Sequence, residues 1–439
     1  MSISKNIGVT YISQIGGVFI SVLSTIFLSR ILGAEGRGEF SVYNNSVTFF
    51  NLFIGLSLPS TIIYSVANKR VDENKLLSTL LLYTLVSTVF VILVLQTFFY
   101  FNIQSMIFAK DKETMVWKGI FVLHFLSVTF NNLLIAFLNA KRKFVLSSAI
   151  GIVNVLIPLL GYLLIYFHLL PIHSEDNYLY AVLFVVSSFV FTTAVLFVFV
   201  GRSYTGMFSL QILSKSDIFF VLKFSMIAWM CNFFTSLTYR MDIWFIDQYH
   251  GKAATGIYSL AVNLSQFFWV LPNAIGSVLY SYIAKDGLEN NLQNIQRLTK
   301  YTFYFNVVAG LMSVLLLNTL IPLFYGEAFR GSYVLLMLLL PGVIIFSMPI
   351  ILASLFAGTG NIMVNLYNTL FSFAICLVLD FVMIRPWSAE GASIASVITY
   401  VLSSVFSLYV ASRLFKLNIG DILVIKKEDY LFIKSKFIK

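Results

Sequence analysis

The chain has 439 residues, of which 59% are hydrophobic and 11% charged, with a mean hydropathy of +0.89. A water-soluble globule carries roughly 25% charged residues, so an aqueous fold of this length is excluded and the chain reads as an integral membrane protein. The net charge of +10 would suggest nucleic acid in a soluble protein, but here Lys and Arg are confined to the connections between apolar runs, which excludes a nucleic-acid partner.

In chain order, the first apolar run continues from Ile7 to Ser29 and ends in Arg30. It is longer than the core of a signal peptide and lacks a small-residue cleavage site, so it reads as a transmembrane helix. Runs bounded by charges, Gly or Pro recur at about 7–29, 40–66, 76–101, 116–138, 145–168, 178–201, 218–239, 256–283, 301–325, 332–357, 361–384 and 390–412. The expected fold is therefore all-α, with twelve transmembrane helices. An even number of crossings puts both termini on one side. Of the 29 Lys and Arg residues, twenty fall at the termini and even-numbered hairpins, among them Lys69, Arg70, Lys141, Arg142, Lys143 and Lys285. The positive-inside rule then places both termini in the cytoplasm. The basic segment from Arg413 onward reads as a solvated, orientation-setting tail beside anionic headgroups. Cys231 and Cys376 each lie inside an apolar run, which argues against a disulfide framework or a thiolate metal site.

Sliding the sequence against itself by 218 residues superposes Gly33, Gly38, Ser41, Asn45, Phe49 and Phe50 on Gly251, Gly256, Ser259, Asn263, Phe267 and Phe268. Phe40 meets Tyr258. The shared pattern falls at the first hairpin of each half, so the chain reads as two parallel six-helix lobes, 1–205 and 206–412, followed by the tail 413–439. Parallel repeats characterise transporters, whose substrate path runs between the halves.

No G-x-x-x-x-G-K-[ST], H-E-x-x-H or G-x-S-x-G pattern is present, so ATPase and hydrolase readings lose their support. The four histidines lack metal-ligand spacing, and neither an enzyme activity, a metal nor a cofactor is expected. Amides and hydroxyls are dense on the second and eighth helices: Ser41, Asn44, Asn45, Thr48 and Asn51 in one, Ser259, Asn263, Gln266 and Asn273 in the other. Spacings of three, four and seven put most of them on one face, which must turn from lipid either to bond neighbouring helices or to line a watery path. Asn45, Thr48, Asn263 and Gln266 are the candidates for such a path. Arg30 and Arg240 end the first and seventh helices; they either snorkel to headgroups or face the path and attract phosphate. Asp380, inside the eleventh helix, is close enough to its end to meet a headgroup or Arg385, and is also the candidate for H+ or Na+ coupling.

Several stretches resemble the polysaccharide transport family of the multidrug/oligosaccharidyl-lipid/polysaccharide (MOP) exporter superfamily, which includes the Wzx-type repeat-unit flippases. Arg30-Ile-Leu-Gly-Ala-Glu-Gly-Arg-Gly-Glu-Phe40 is similar to the family's first loop, and Arg240-Met-Asp-Ile-Trp-Phe-Ile-Asp247 with Gly256-Ile-Tyr-Ser-Leu-Ala261 to its seventh-to-eighth hairpin. Leu340-Pro-Gly342 and Glu390-Gly-Ala-Ser-Ile-Ala395 are similar to later family positions. The resemblance implies a MATE-like V-shaped transporter in the bacterial cytoplasmic membrane. Its implied partner is an undecaprenyl-pyrophosphate-linked oligosaccharide, a precursor of O-antigen, capsule or another surface polysaccharide, moved between leaflets by alternating access. Other polysaccharide-assembly proteins are implied as neighbours. Two rivals stay open: a multidrug or cation antiporter of the same superfamily, and, less favoured by the short external connections, a membrane polysaccharide polymerase.

Overall fold

A computed structural model describes residues 3–56, 58–59, 62, 66, 71–104, 107–108, 114–141, 143–171, 173, 176–203, 212–286 and 292–424. Of the residues invoked for orientation, Lys69, Arg70, Arg142 and the lysines of the tail beyond residue 424 lie outside this set, as does the side chain of Lys285. The elements in order are α1 (Ile3–Gly55), α2 (Glu73–Tyr100), α3 (Met115–Ala140), α4 (Phe144–Tyr166), α5 (Asn177–Ser203), α6 (Lys215–Ser265), a 3-10 turn (Gln266–Trp269), α7 (Val270–Asp286), α8 (Leu292–Tyr325), α9 (Gly331–Gly358), α10 (Ile362–Phe415) and the short α11 (Ile419–Leu423). Among the described residues there is no strand.

Nine helical stretches are long and apolar enough to cross a membrane among the described residues, and three of them are far too long to cross once. At 1.5 Å per residue, a straight helix of 54 residues such as α10 would run about 80 Å against a hydrocarbon core of about 30 Å. Each of the three contains one residue off helical geometry, and there the chain reverses. In α1 it is Gly33, at φ 65 and ψ −172. The Arg37 guanidinium donates to Ser29 Oγ at 2.6 Å and to the Thr25 carbonyl at 3.3 Å, although Thr25 lies twelve residues back, roughly 18 Å along a straight helix. In α6 it is Gly251, at φ 82 and ψ 178, and the Tyr258 hydroxyl donates to the Asp242 carboxylate sixteen residues earlier. In α10 it is Ser388, across which Asn368 donates to Ser407 Oγ and accepts from Ser403 Oγ, each at 3.1 Å. Divided at these three points the nine stretches make the twelve crossings expected from hydropathy. α1 stops at Gly55 within the second apolar run, and the described residues 58, 59, 62 and 66 of that run are again helical.

The described chain falls into two compact units, Met1–Phe233 and Phe234–Lys439. They part within α6 rather than at the 205/206 connection drawn from the sequence. The reason lies in the start of α6, where Trp229 and Phe233 pack on Phe53 and Phe49 of α1. In the first unit α1 packs on α4, and α3 on α5, around Phe137, Leu138 and Leu196 on one side and Tyr43, Phe121 and Phe125 on the other. In the second unit α9 is central, packing on α7, α8 and α10. Gly391 permits the tightest approach there, since a Cβ would stand 2.2 Å from the Met383 carbonyl. In the chain after the last crossing Arg413 and Lys416 are exposed, and the expected basic tail beyond residue 424 lies outside the described residues. Lys416 turns the chain in the left-handed region, Asn418 caps α11, and Leu417 and Ile422 are buried with Ile295 of α8.

Candidate functional site

The first unit presents its candidates around the Gly33 turn. Arg30, just before it, is exposed. Arg37, just after it, is 2% exposed and ties the two limbs of the hairpin together. An arginine withdrawn from lipid and headgroup alike is tolerated only with such oxygens around it. The second limb of α1 carries the amide-rich stretch. Asn45 is buried, and Thr48 is exposed and returns its hydroxyl to the Asn44 carbonyl at 2.9 Å. Asn51 accepts from Thr129 of α3 at 2.8 Å, so this amide joins helices. Farther along, Asn131 of α3, Asn154 of α4 and Thr192 of α5 close a ring of hydrogen bonds of 2.7 to 3.3 Å, spending polar groups on helix packing in the same way.

In the second unit Arg240, Asn263 and Gln266 are half-buried, and Gln266 opens the 3-10 turn. Ser259 and Asn273 bond backward to carbonyls of their own segments, Gly256 and Trp269. Asp380 is fully buried, and this corrects the expectation that it meets a headgroup or Arg385. Its helix turns it inward: Cys376, one turn earlier on the same face, brings Sγ to 3.3 Å from Asp380 Oδ2, and Oδ1 has no hydrogen-bond partner among the described residues. Asp242 of α6, 2% exposed, lies within electrostatic reach of Asp380. Its carboxylate accepts from the Tyr258 hydroxyl and from the Ile243 amide, and Arg240 is within its field. Two carboxyls buried in one another's field cannot both stay ionised without a counter-charge, and Arg240 is a cation within reach of Asp242. Among the described residues no group of three or more His, Cys, Asp or Glu side chains is placed to hold a metal.

The structure thus groups Arg240 with Asp242 and Asp380 inside one unit, and in the other it has Arg30 and Arg37 on opposite sides of the Gly33 turn. Neither Arg37 nor the relation of Asp242 to Asp380 is among the sequence candidates. The signals for them are slight: Arg37 is the second cation of the Arg30–Phe40 motif, and Asp242 stands sixteen residues before the repeat-matched Tyr258.

The profile of the polysaccharide biosynthesis protein family matches residues 3–286. The chain is 22% identical over 428 residues to the capsular polysaccharide biosynthesis protein CapF of Staphylococcus aureus, covering 94% of this chain and 100% of that protein. Among solved structures it is similar to the lipid II flippase MurJ in its inward closed conformation, with a TM-score of 0.74 and 13% identity over 98% of this chain and 91% of that one. It is also similar to an inward-facing multidrug resistance MATE family transporter of the MOP superfamily, with a TM-score of 0.73 and 13% identity over 91% and 96%. The match over more than half of the sequence leads to one conclusion: this multi-pass membrane chain belongs to the polysaccharide biosynthesis protein family, with a fold similar to those of MurJ and the MATE family transporter.

Proposed function

We propose that the protein is a flippase that carries a polyprenyl-pyrophosphate-linked oligosaccharide repeat unit from the cytoplasmic to the outer leaflet by alternating access. The observation that carries this reading is membership of a polysaccharide biosynthesis family by a chain whose fold is a transporter's. A lipid-linked sugar needs hydrogen-bonding groups for glycan and pyrophosphate while its tail stays in lipid, and half-buried Arg240, Asn263 and Gln266 are groups of that kind. Arg30 and Arg240 are assigned to the pyrophosphate or an acidic sugar, with Asn45, Thr48, Asn263 and Gln266 assigned to the path. Polysaccharide-assembly enzymes are the partners in this reading. In a strain lacking the gene, lipid-linked repeat units should accumulate facing the cytoplasm and surface polysaccharide should disappear, both reversed by complementation. A second reading, a cation-coupled antiporter, draws on the buried Asp242–Asp380 pair. It requires drug tolerance to fall on deletion with no change in lipid-linked sugar.

Each of Arg30→Gln and Arg240→Gln is expected to lower export about tenfold, because hydrogen bonds to charged groups contribute roughly 1.5–3 kcal/mol. Lys at either position retains charge without the planar fork and should recover part of the loss. Surface polysaccharide normalised to membrane abundance is the measurement, and unchanged export by the double Gln variant would show that both side chains merely snorkel. Orientation is tested separately. A cysteine at Lys143 should resist an impermeant reagent applied to intact cells and react once the membrane is opened; labelling from outside would invert the topology.

A further inference from the structure

The eighth crossing is not one regular helix. α6 gives way to the 3-10 turn Gln266–Trp269, and α7 takes over at Val270. Pro272 accounts for the change. In the first turn of α7 a proline costs that helix nothing, because the amide it lacks has no partner within α7. The loss falls on the segment before: in a continuous α-helix the Phe268 carbonyl would accept from the amide of residue 272, and a proline has none. The internal repeat supplies the comparison. Residues 48–51, which match 266–269, lie in regular α-helix, and the residue matched to Pro272 is Ile54.

The Phe268 carbonyl is met from another helix. Asn306 of α8, 1% exposed, donates its side-chain amide to it at 3.1 Å. Two further bonds hold the turn: Asn273 donates to the Trp269 carbonyl at 2.8 Å, and the Trp269 indole donates to the Val343 carbonyl of α9 at 3.1 Å. The indole also packs among Tyr239, Phe346 and Tyr400, at ring separations of 5.0 to 5.5 Å. In a 3-10 turn side chains three residues apart eclipse, so half-buried Gln266 stands in line with this fixed indole. Three steps of an α-helix turn through about 300° instead of about 360°, so relaxation of the turn to α-helix would swing Gln266 about 60° off that line.

We propose that Asn306 is a positioning residue for Gln266: by standing in for the amide that Pro272 lacks, it holds the eighth crossing in the 3-10 turn that aims the Gln266 side chain. Within a membrane a carbonyl without a donor is strongly disfavoured, so the turn persists only because a side chain supplies what the backbone cannot. The same bond makes a buried asparagine tolerable in α8. Proline and asparagine thus act as a matched pair from two helices, one creating the need and the other meeting it. The aim of Gln266 is a property of this unit alone. That its target is a lipid-linked glycan, whose hydroxyls would both donate to and accept from the amide, rests on the flippase reading.

The test separates support of the carbonyl from aim of the side chain, in the full-length protein. Asn306→Leu keeps the branched shape but removes the donor, and should raise the unfolded fraction about tenfold below the midpoint of thermal unfolding. Adding Pro272→Ala returns a backbone donor to Phe268 and should restore the parent's stability. It also lets the helix become regular, as in the first half, so Gln266 should stay misdirected. Gln266→Cys reads that direction without any transport: a hydrophilic maleimide should label it in the parent, above the rate of Cys231 and Cys376 alone, and lose most of that reaction in the Asn306→Leu, Pro272→Ala background. Export by the Asn306→Leu, Pro272→Ala variant should stay as low as that of Gln266→Ala. If Pro272→Ala does not recover stability, the Asn306 bond does not compensate the proline and the proposal falls. If Asn306→Leu fails to accumulate, recovered abundance in the double variant is the same support, and its absence the same refutation. Stability restored with labelling as in the parent, or no labelling in the parent, would leave Asn306 a stabilising residue and remove the positioning role. Labelling lost with export normal would keep Asn306 as the residue that aims Gln266 and take Gln266 out of the flippase reading.

Discussion

Alanine at Gly33 or at Gly251 is expected to destabilise the protein by on the order of 1–3 kcal/mol at either position, and valine by more. Both residues hold a positive φ with ψ near 180°, a combination that residues with a Cβ essentially do not adopt. Crowding is not the cause, because a Cβ built on either glycine meets nothing within 4 Å. The penalty is therefore in the backbone, and it falls at the reversal on which each lobe's first two crossings depend. Gly151 of α4 is the control: it too has open space around a Cβ but sits in regular helix, so Gly151→Ala should be neutral or stabilise by up to roughly 1 kcal/mol. Thermal unfolding of the purified variants, together with their abundance in the membrane, decides the matter. If Gly251→Ala matched Gly151→Ala in both, the turn would have to accept a side chain, and the shared glycine would mean composition rather than geometry.

That glycine pair also explains why the repeat is legible in the amino-acid sequence. A residue whose torsions only glycine tolerates leaves an identity at a set spacing, and Gly33 and Gly251, 218 residues apart, take nearly the same torsions. The crossings are legible for a similar reason, since hydrocarbon thickness sets their length. Ser388 leaves no such mark: its turn lies between two apolar runs, and only their combined length requires it. What stays hidden depends on which faces meet. Asn51 reads equally as a lining residue or as a helix joint until Thr129, 78 residues later, is seen against it. The end of α1 at Gly55 escapes hydropathy because residues 57 to 66 stay largely apolar, and an apolar run does not report where one helix ends and another begins. Arg37 reads as one more loop cation, since charge in a sequence carries no information about burial. Asp380 stands out as an intramembrane acid, but its relation to Asp242, 138 residues away, is a property of two helices and of neither alone.

From that relation follows the second large effect. Asp380→Asn is expected to abolish ion-dependent transport while leaving the protein as stable as before or more so. A buried carboxylate without full pairing is disfavoured by on the order of several kcal/mol, and Asp380 has one oxygen without a partner among the described residues and a second carboxyl in its field. Such a group would be eliminated by any pressure for stability alone, and a neutral amide of the same shape removes the conflict. If the pair exists to take up H+ or Na+ from one side and release it on the other, Asn removes the binding while relieving the strain. Coupling free energies of about 1–3 kcal/mol correspond to about 5–150-fold, so ion stimulation of flux should fall at least fivefold. Asp242→Asn is expected to be less favourable for stability, because the Tyr258 hydroxyl and the Ile243 amide already donate to that carboxylate and an amide nitrogen cannot accept from either. Flux in proteoliposomes under imposed H+ and Na+ gradients, read beside thermal stability, separates the roles. Loss of stability in Asp380→Asn with transport per folded molecule unchanged would make Asp380 a structural group and remove the coupling assignment.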